Sequence, residues 1–205
     1  LMDLFRKQAQ RFGADTRFNH VDNVDLSQRP FIVKTGGEEF KTDSIIISTG
    51  ATAKLLGLKS EARLMGYGVS ACATCDGFFY KDKSVLVIGG GDSAIEEATF
   101  LTKFASSVTI VHRRDELRAS KIMQDRAINN PKINFEWNTA VVEMLGEPDK
   151  GGLVGITAED TITGNQREIK CDGVFLGIGH KPNSNLFKDI LDLDETGYIL
   201  TQPDS

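Results

Sequence analysis

The chain has 205 residues, 40% hydrophobic and 26% charged, an ordinary soluble mixture that is long enough to bury a core and too apolar for wholesale disorder. Its 24 basic and 29 acidic residues give a net charge of −5, which argues against a general nucleic-acid or anionic-membrane binder. The longest apolar runs are strand-sized, and no basic region followed by an apolar stretch opens the chain, so a cytoplasmic protein without a membrane span is expected. Leu1, Leu4, Phe5, Gln8 and Phe12 fall near one helical face, so 1–12 reads as an amphipathic helix stopped by Gly13. Residues 17–25 and 30–35 read as strands, and Gly36-Gly37 turns the second into 38–41. Residues 44–48 read as a short buried strand ending in Thr49-Gly50-Ala51. The stretch 52–68, with Gly57, Gly66 and Gly68, has linker character and marks the first expected domain boundary.

Beyond it the pattern becomes strand–helix–strand. Residues 84–88 form an apolar strand, Gly89-Gly90-Gly91 a tight turn, and 92–104 a helix with Ala94, Ala98, Leu101 and Ala105 on one face. A strand at 107–111 completes a right-handed βαβ unit. A second helix at 120–129 and strands at 133–137 and 140–145 follow. Thr163-Gly164-Asn165 joins 153–161 to 166–171 as a hairpin, and 173–177 is another buried strand. Pro182-Asn183 marks the second boundary. The chain opens at Leu1 inside a helix and closes at Pro203-Asp204-Ser205 just after a strand-like stretch. Both ends are therefore expected to be internal to a longer protein.

Three motifs carry chemistry. Gly89-x-Gly91-x-x-Ala94 directly follows an apolar strand and directly opens a helix, the context a dinucleotide-binding turn requires. Gly89 permits the tight turn, Gly91 lets the backbone approach a pyrophosphate, and Ala94 lets helix and strand pack closely. The helix start at Asp92 and Ser93 offers free N–H groups to phosphates. A glycine-rich turn without a ligand is the alternative. An NAD site places an acid at the end of the second strand, about 20 residues past the glycines. Here His112-Arg113-Arg114 stands at that place and Arg118 follows, while Asp115 and Glu116 come too late. Three guanidiniums suit a 2′-phosphate, so NADPH is expected over NADH. A solvated basic patch paired to those two acids is the alternative.

The third motif is Cys72-Ala73-Thr74-Cys75-Asp76. Two intervening residues can bring the sulfurs within bonding distance, and adjacent amides can lower a thiolate pKa. Asp76 can give or take the proton that dithiol chemistry moves. Two buried thiols or half a zinc site are the alternatives. Zinc needs two further ligands, but Cys171 is distant and the histidines are scattered, so no metal is expected. Cys171 reads as a buried small residue, and Trp137 and the phenylalanines read as core.

The segments Ser70-Ala71-Cys72-Ala73-Thr74-Cys75-Asp76-Gly77-Phe78-Phe79-Tyr80, Gly89-Gly90-Gly91-Asp92-Ser93-Ala94 and His112-Arg113-Arg114-Asp115 together resemble the low-molecular-weight, NADPH-dependent thioredoxin reductases of bacteria and plants. Gly177-Ile178-Gly179-His180-Lys181-Pro182-Asn183 is similar to that family's exit from its NADPH domain, and Ser48-Thr49-Gly50-Ala51 to its flavin-domain turn. The resemblance runs along essentially the whole chain at family spacing. It implies an α/β fold of two doubly wound dinucleotide-binding domains, with the NADPH domain inserted in an FAD domain that is truncated here. Residues 1–57 are then the end of the first FAD-domain half, 58–181 the NADPH domain with its redox disulfide, and 182–205 the start of the second half. The glycine turn for the FAD pyrophosphate and the flavin-ribityl segment are expected outside the chain.

The same resemblance implies FAD and NADPH as cofactors, thioredoxin as partner and a homodimer of the full-length protein. Electrons would pass from NADPH through FAD and a Cys72–Cys75 disulfide to thioredoxin. Carried over residue by residue, Cys75 faces the flavin, Cys72 attacks the thioredoxin disulfide and Asp76 is the acid–base partner. Gly89, Gly91, Asp92, Ser93, Ala94, His112, Arg113, Arg114, Arg118 and Gly179 hold NADPH, and Thr49, Gly50 and Val21 touch FAD. In the family one domain rotates against the other, which would put hinges at 52–57 and 181–185. Two other readings are the flavoprotein subunit of an alkyl hydroperoxide reductase and a nucleotide-binding module without turnover.

Overall fold

A computed structural model describes residues 1–202, and the Pro203-Asp204-Ser205 end lies outside the described residues. The chain divides into two compact units, Leu1–Ala51 with Pro182–Ser205, and Thr52–Lys181.

In the first unit, helix α1 (Met2–Arg11) forms where the 3.6-residue period places it, yet it buries no side chain. Strands β1 (Asn23–Asp25), β2 (Phe31–Thr35) and β3 (Glu38–Thr42) make an antiparallel meander in that order. Gly36 and Gly37 both have positive φ, +55° and +87°, as a two-residue hairpin turn demands. Two expectations fail here. Of 17–25 only Asn23–Asp25 is strand, because β2 offers partners to those residues alone. Residues 44–48 are neither strand nor buried, and Ile46 is 92% exposed. No strand among the described residues pairs with them, and an apolar run without a ladder partner cannot satisfy its backbone as a strand. Asn183 donates to this segment's end, Nδ2 to the Thr49 carbonyl and N–H to the Gly50 carbonyl, each at 3.0 Å.

Strand β4 (Ala51–Ala53) carries the chain from the first unit into the second, where α2 (Lys59–Leu64) follows. The stretch read as linker thus holds a helix. Six residues are too few for a periodic signal, and two of its three buried residues, Ser60 and Glu61, are polar. Leu64 and Glu61 are buried, and the Glu61 carboxylate accepts from the N–H groups of Leu56 and Gly57, both at 2.8 Å. After β5 (Val69–Ser70) and α3 (Ala73–Asp76) come β6 (Ser84–Ile88), α4 (Asp92–Leu101), β7 (Ser107–Val111), α5 (Lys121–Ile128) and β8 (Ile133–Glu136). Strands β9 (Thr139–Glu147), β10 (Gly152–Asp160) and β11 (Gln166–Lys170) form an antiparallel meander. Strand β12 (Gly173–Leu176) then returns to the parallel sheet, and β13 (His180–Pro182) pairs with β4.

The five-stranded sheet is parallel throughout, in the order β5-β12-β6-β7-β8. Its side chains alternate between two cores. Val85, Val87, Val108, Ile110 and Phe175 pack with α4 and α5 residues such as Ile95, Leu101 and Ala127. Leu86, Ile88, Val111, Val174 and Leu176 pack instead with Met144, Ile156 and Ala158 of the meander and Leu64 of α2. A parallel sheet covered on both faces reads as unbroken apolar runs, which is why SVLVI and SVTIV stand out in the sequence. Trp137 packs partly buried against the first core, stacked on Phe135. Not every phenylalanine joins a core as expected. Phe12, Phe18, Phe78 and Phe79 are exposed, whereas Phe175 and Phe187 are buried. Among the described residues no helix is long and apolar enough to cross a membrane.

Candidate nucleotide cavity and disulfide turn

From β6 the chain runs outward through β7 and β8, whereas β12 lies on the other flank of β6. The carboxyl ends of β6 and β12 therefore border a switch point, the place where open α/β sheets bind ligands. A cavity of about 580 Å³ opens there, and every lining residue belongs to Thr52–Lys181.

Three small residues pack together at its base, two of them lining it. A Cβ on Gly89 (φ +142°) would collide with the Gly177 carbonyl oxygen and stand 2.9 Å from Ala94 Cβ. A Cβ on Gly177 would lie 2.7 Å from Ala94 Cα. Gly89, Gly177 and Ala94 thus interlock, pressing the start of α4 onto the ends of β6 and β12. Ala94 serves this packing and does not itself line the cavity. A Cβ on Gly91 would meet nothing within 4 Å, so the backbone there faces open space. Helix α4 has no side-chain cap, which leaves its first N–H groups, at Asp92 and Ser93, beside that space.

A second segment is tied to the glycine turn. The Gly90 carbonyl accepts from the N–H groups of Arg118, at 2.7 Å, and Ala119, at 3.1 Å. Asp92 Oδ1 accepts from both the N–H and the hydroxyl of Ser120 at 2.8 Å. The Asp92 carboxylate therefore anchors the 118–120 segment rather than presenting its charge to a phosphate. His112 lies over Gly90, where an added Cβ would strike the ring. It is buried, and its Nε2 finds no hydrogen-bond partner. Burial holds its pKa below the ordinary imidazole value, against a raising contact with the Glu116 backbone. The charges of Arg114, Arg113 and Arg118 lower it further.

Arg113 and Arg118 line the cavity, but Arg114 does not. Among the described residues none of the three guanidiniums forms an ion pair. A patch neutralised by Asp115 and Glu116 is thus not what the structure contains. The backbone of this segment is held from the meander side. Asn138 N–H donates to the Arg114 carbonyl at 3.1 Å, Thr139 N–H to that of His112 at 2.9 Å, and Thr161 Oγ1 to that of Arg113 at 3.2 Å. Gly179 (φ +89°) also lines the cavity, with open space where a Cβ would stand.

Sequence reasoning missed several lining residues. Leu56, Ile178, Thr139, Ala140 and Val141 give the cavity an apolar wall. Thr139, Ala140 and Val141 lie at the start of a plain antiparallel strand, where no local signal marks them.

Cys72 and Cys75 are joined in a disulfide, with Cα atoms 5.3 Å apart. Cys72 immediately precedes α3, Cys75 lies within it, and Asp76 ends it, its N–H donating to the Cys72 carbonyl at 3.1 Å. Cys72 is half-buried and Cys75 exposed. The turn rests on α4, since Gly77 approaches Leu101, Phe100 and Phe104 too closely for a side chain to fit freely. Cys72, Cys75 and Asp76 do not line this cavity. Cys171 is a free, buried thiol, its pKa pushed up to about 12 mainly by burial. Val21, Thr49 and Gly50 belong to the other unit, where all three are exposed.

Comparison with known proteins gives a consistent picture. The chain is 51% identical over 200 residues to a thioredoxin reductase of Streptomyces clavuligerus, covering 97% of this chain and 61% of that protein. It is 49% identical over 206 residues to one of Rickettsia bellii, covering all of this chain and 66% of that one. The chain therefore spans 61% and 66% of the length of these two relatives. Among solved structures, thioredoxin reductase from Giardia duodenalis superimposes with a TM-score of 0.85 at 36% identity, over 100% of this chain and 67% of that one. The enzyme from Streptococcus pyogenes gives 0.81 at 37% identity, over 98% and 65%. The sequence profile named for pyridine nucleotide-disulphide oxidoreductases matches residues 5–205. The chain belongs to the pyridine nucleotide-disulphide oxidoreductase family.

Proposed function

We propose that this chain is part of an NADPH-dependent thioredoxin-disulfide reductase that uses FAD, a cytoplasmic homodimer in its full length. One observation carries the reading. A CxxC disulfide and a nucleotide cavity bordered by unpaired guanidiniums occur together in Thr52–Lys181. The residues present fit the nicotinamide cofactor. Open space at Gly91 and the uncapped start of α4 suit a pyrophosphate. Arg113 and Arg118 suit a 2′-phosphate, with Arg114 adding charge from outside the cavity. His112, its pKa held low by burial, brings an unpartnered nitrogen beside the same group. For FAD this chain offers Thr49, Gly50 and Val21 alone, with no glycine-rich strand-to-helix turn among the described residues of their unit.

Bound NADPH and FAD supply two electrons to the disulfide. What this chain's residues then do is thiol–disulfide exchange. Cys72, as thiolate, attacks one sulfur of the thioredoxin disulfide and forms a mixed disulfide, while the other thioredoxin sulfur leaves and takes a proton. Cys75 attacks Cys72, which restores the Cys72–Cys75 bond and releases the dithiol of thioredoxin. Asp76, at the end of the same turn, accepts and donates the protons that these two displacements require.

The test compares this chain with a longer form that includes the remainder of the protein. The 205-residue chain is expected to bind NADPH, to purify with little flavin absorbance, and to reduce thioredoxin negligibly in excess FAD. The longer form is expected to be yellow and to couple NADPH oxidation to thioredoxin reduction. A longer form that binds NADPH but leaves thioredoxin oxidised would refute the reductase reading.

A further inference from the structure

The disulfide turn is asymmetric in a way that the exchange chemistry above does not use. Cys72 Sγ lies 3.4 Å from the hydroxyl oxygen of Thr74, within reach of a sulfur hydrogen bond. In the disulfide neither sulfur carries a hydrogen, so the donor is the Thr74 hydroxyl. Cys72 is fixed from the other side as well, because its N–H donates to the buried Ser70 hydroxyl at 3.0 Å. Its carbonyl accepts from the N–H groups of Cys75, at 3.2 Å, and Asp76, at 3.1 Å. Among the described residues no side chain donates to Cys75 Sγ.

Taking the reductase reading as given, we propose that Thr74 is a catalytic residue of this disulfide, its hydroxyl donating to Cys72 Sγ and stabilising that sulfur as the attacking thiolate. A disulfide sulfur is a weak acceptor, whereas a thiolate carries a full charge, and hydrogen bonds to charged groups are the stronger class. The contact is thus worth more after reduction than before it, and it favours one sulfur of the pair. Thr74 is exposed, so its side chain can turn without repacking any core.

The test requires neither flavin, nicotinamide nor thioredoxin, so its outcome is independent of whether the whole protein is a reductase. The chain is reduced with dithiothreitol: the S–S bond takes two electrons and two protons, and the reagent closes to its cyclic disulfide. After desalting, the dithiol is alkylated with iodoacetamide from pH 5 to 10. The modified cysteine is located by peptide fragmentation in wild type, Thr74→Val, Thr74→Ala and Thr74→Ser. In the wild type Cys72 should be alkylated faster than Cys75 at pH 7. Removing the hydroxyl should slow Cys72 roughly three- to tenfold at that pH and move its profile upward by up to about one pH unit, leaving Cys75 in place. Serine should restore the wild-type profile. An unchanged Cys72 profile in the valine and alanine variants would overturn the proposal. So would an equal shift at Cys75, or a serine variant that behaves like valine.

Discussion

Strands β6, β7 and β12 bury almost every side chain on both faces of their sheet, while α1 in the other unit buries none. The two units are built from similar apolar residues. They differ in whether a partner layer stands on each side. In Thr52–Lys181 the sheet has helices on one face and the meander on the other. In the unit with Leu1–Ala51, Leu4, Phe12, Phe18 and Ile46 are all more than half exposed, and Val24 and Phe187 are among the few buried. Amphipathic patterning declares a wish to pack. Stability comes from the second layer.

Truncating the two kinds of site would give the largest contrast. Phe175→Ala removes a fully buried ring and should cost about 3–5 kcal/mol. Leu4→Ala, at a residue 66% exposed, should change stability by no more than about 0.5 kcal/mol. Denaturant unfolding checks both, and similar losses would break the distinction between the units. Hydrogen exchange should sharpen it, with β6, β7 and β12 exchanging only near global unfolding and α1 exchanging through local opening.

The next effect lies within the cavity. Arg118→Ala and Arg113→Ala should each weaken NADPH roughly tenfold or more while leaving NADH nearly unchanged. Arg114→Ala, outside the lining, should do less. Equilibrium titration of both nucleotides checks this, and three equal losses would mean that the lining does not set selectivity.

The smallest effect concerns acidity. Burial keeps folded His112 below its ordinary pKa. As pH falls below about 6.5, the unfolded chain takes up a proton that the folded chain refuses. Stability should therefore decline with pH from that point down to the folded value. His112→Asn should flatten this part of the profile, measured as unfolding midpoints between pH 7.5 and 5.5.

Much of this was readable from the residues. The βαβ unit declared itself because a two-sided parallel strand must be apolar throughout and its crossover helix must keep small residues inward. The Gly89–Ala94 turn was legible because close backbone approach restricts residue choice to a few types. The role of Gly177 was not, since it acts through a neighbour nearly ninety positions away in sequence that only the sheet order brings near. The difference between Arg114 and its two companions was equally invisible. It depends on which way a loop turns once Asn138 and Thr161 hold its carbonyls. Helix α2 escaped notice because its buried face is made of Ser60 and Glu61 as well as Leu64.

The tether between Asp92 and Ser120, with the Gly90 carbonyl bound to Arg118 and Ala119, joins the start of α4 and the arginine segment into one piece. Such a piece works as a gauge. In the proposed site the α4 terminus and Arg118 sit at one set interval, so a nucleotide is graded by the separation of its two anionic groups as well as by their number. A ligand of equal charge but different spacing would engage one end at a time.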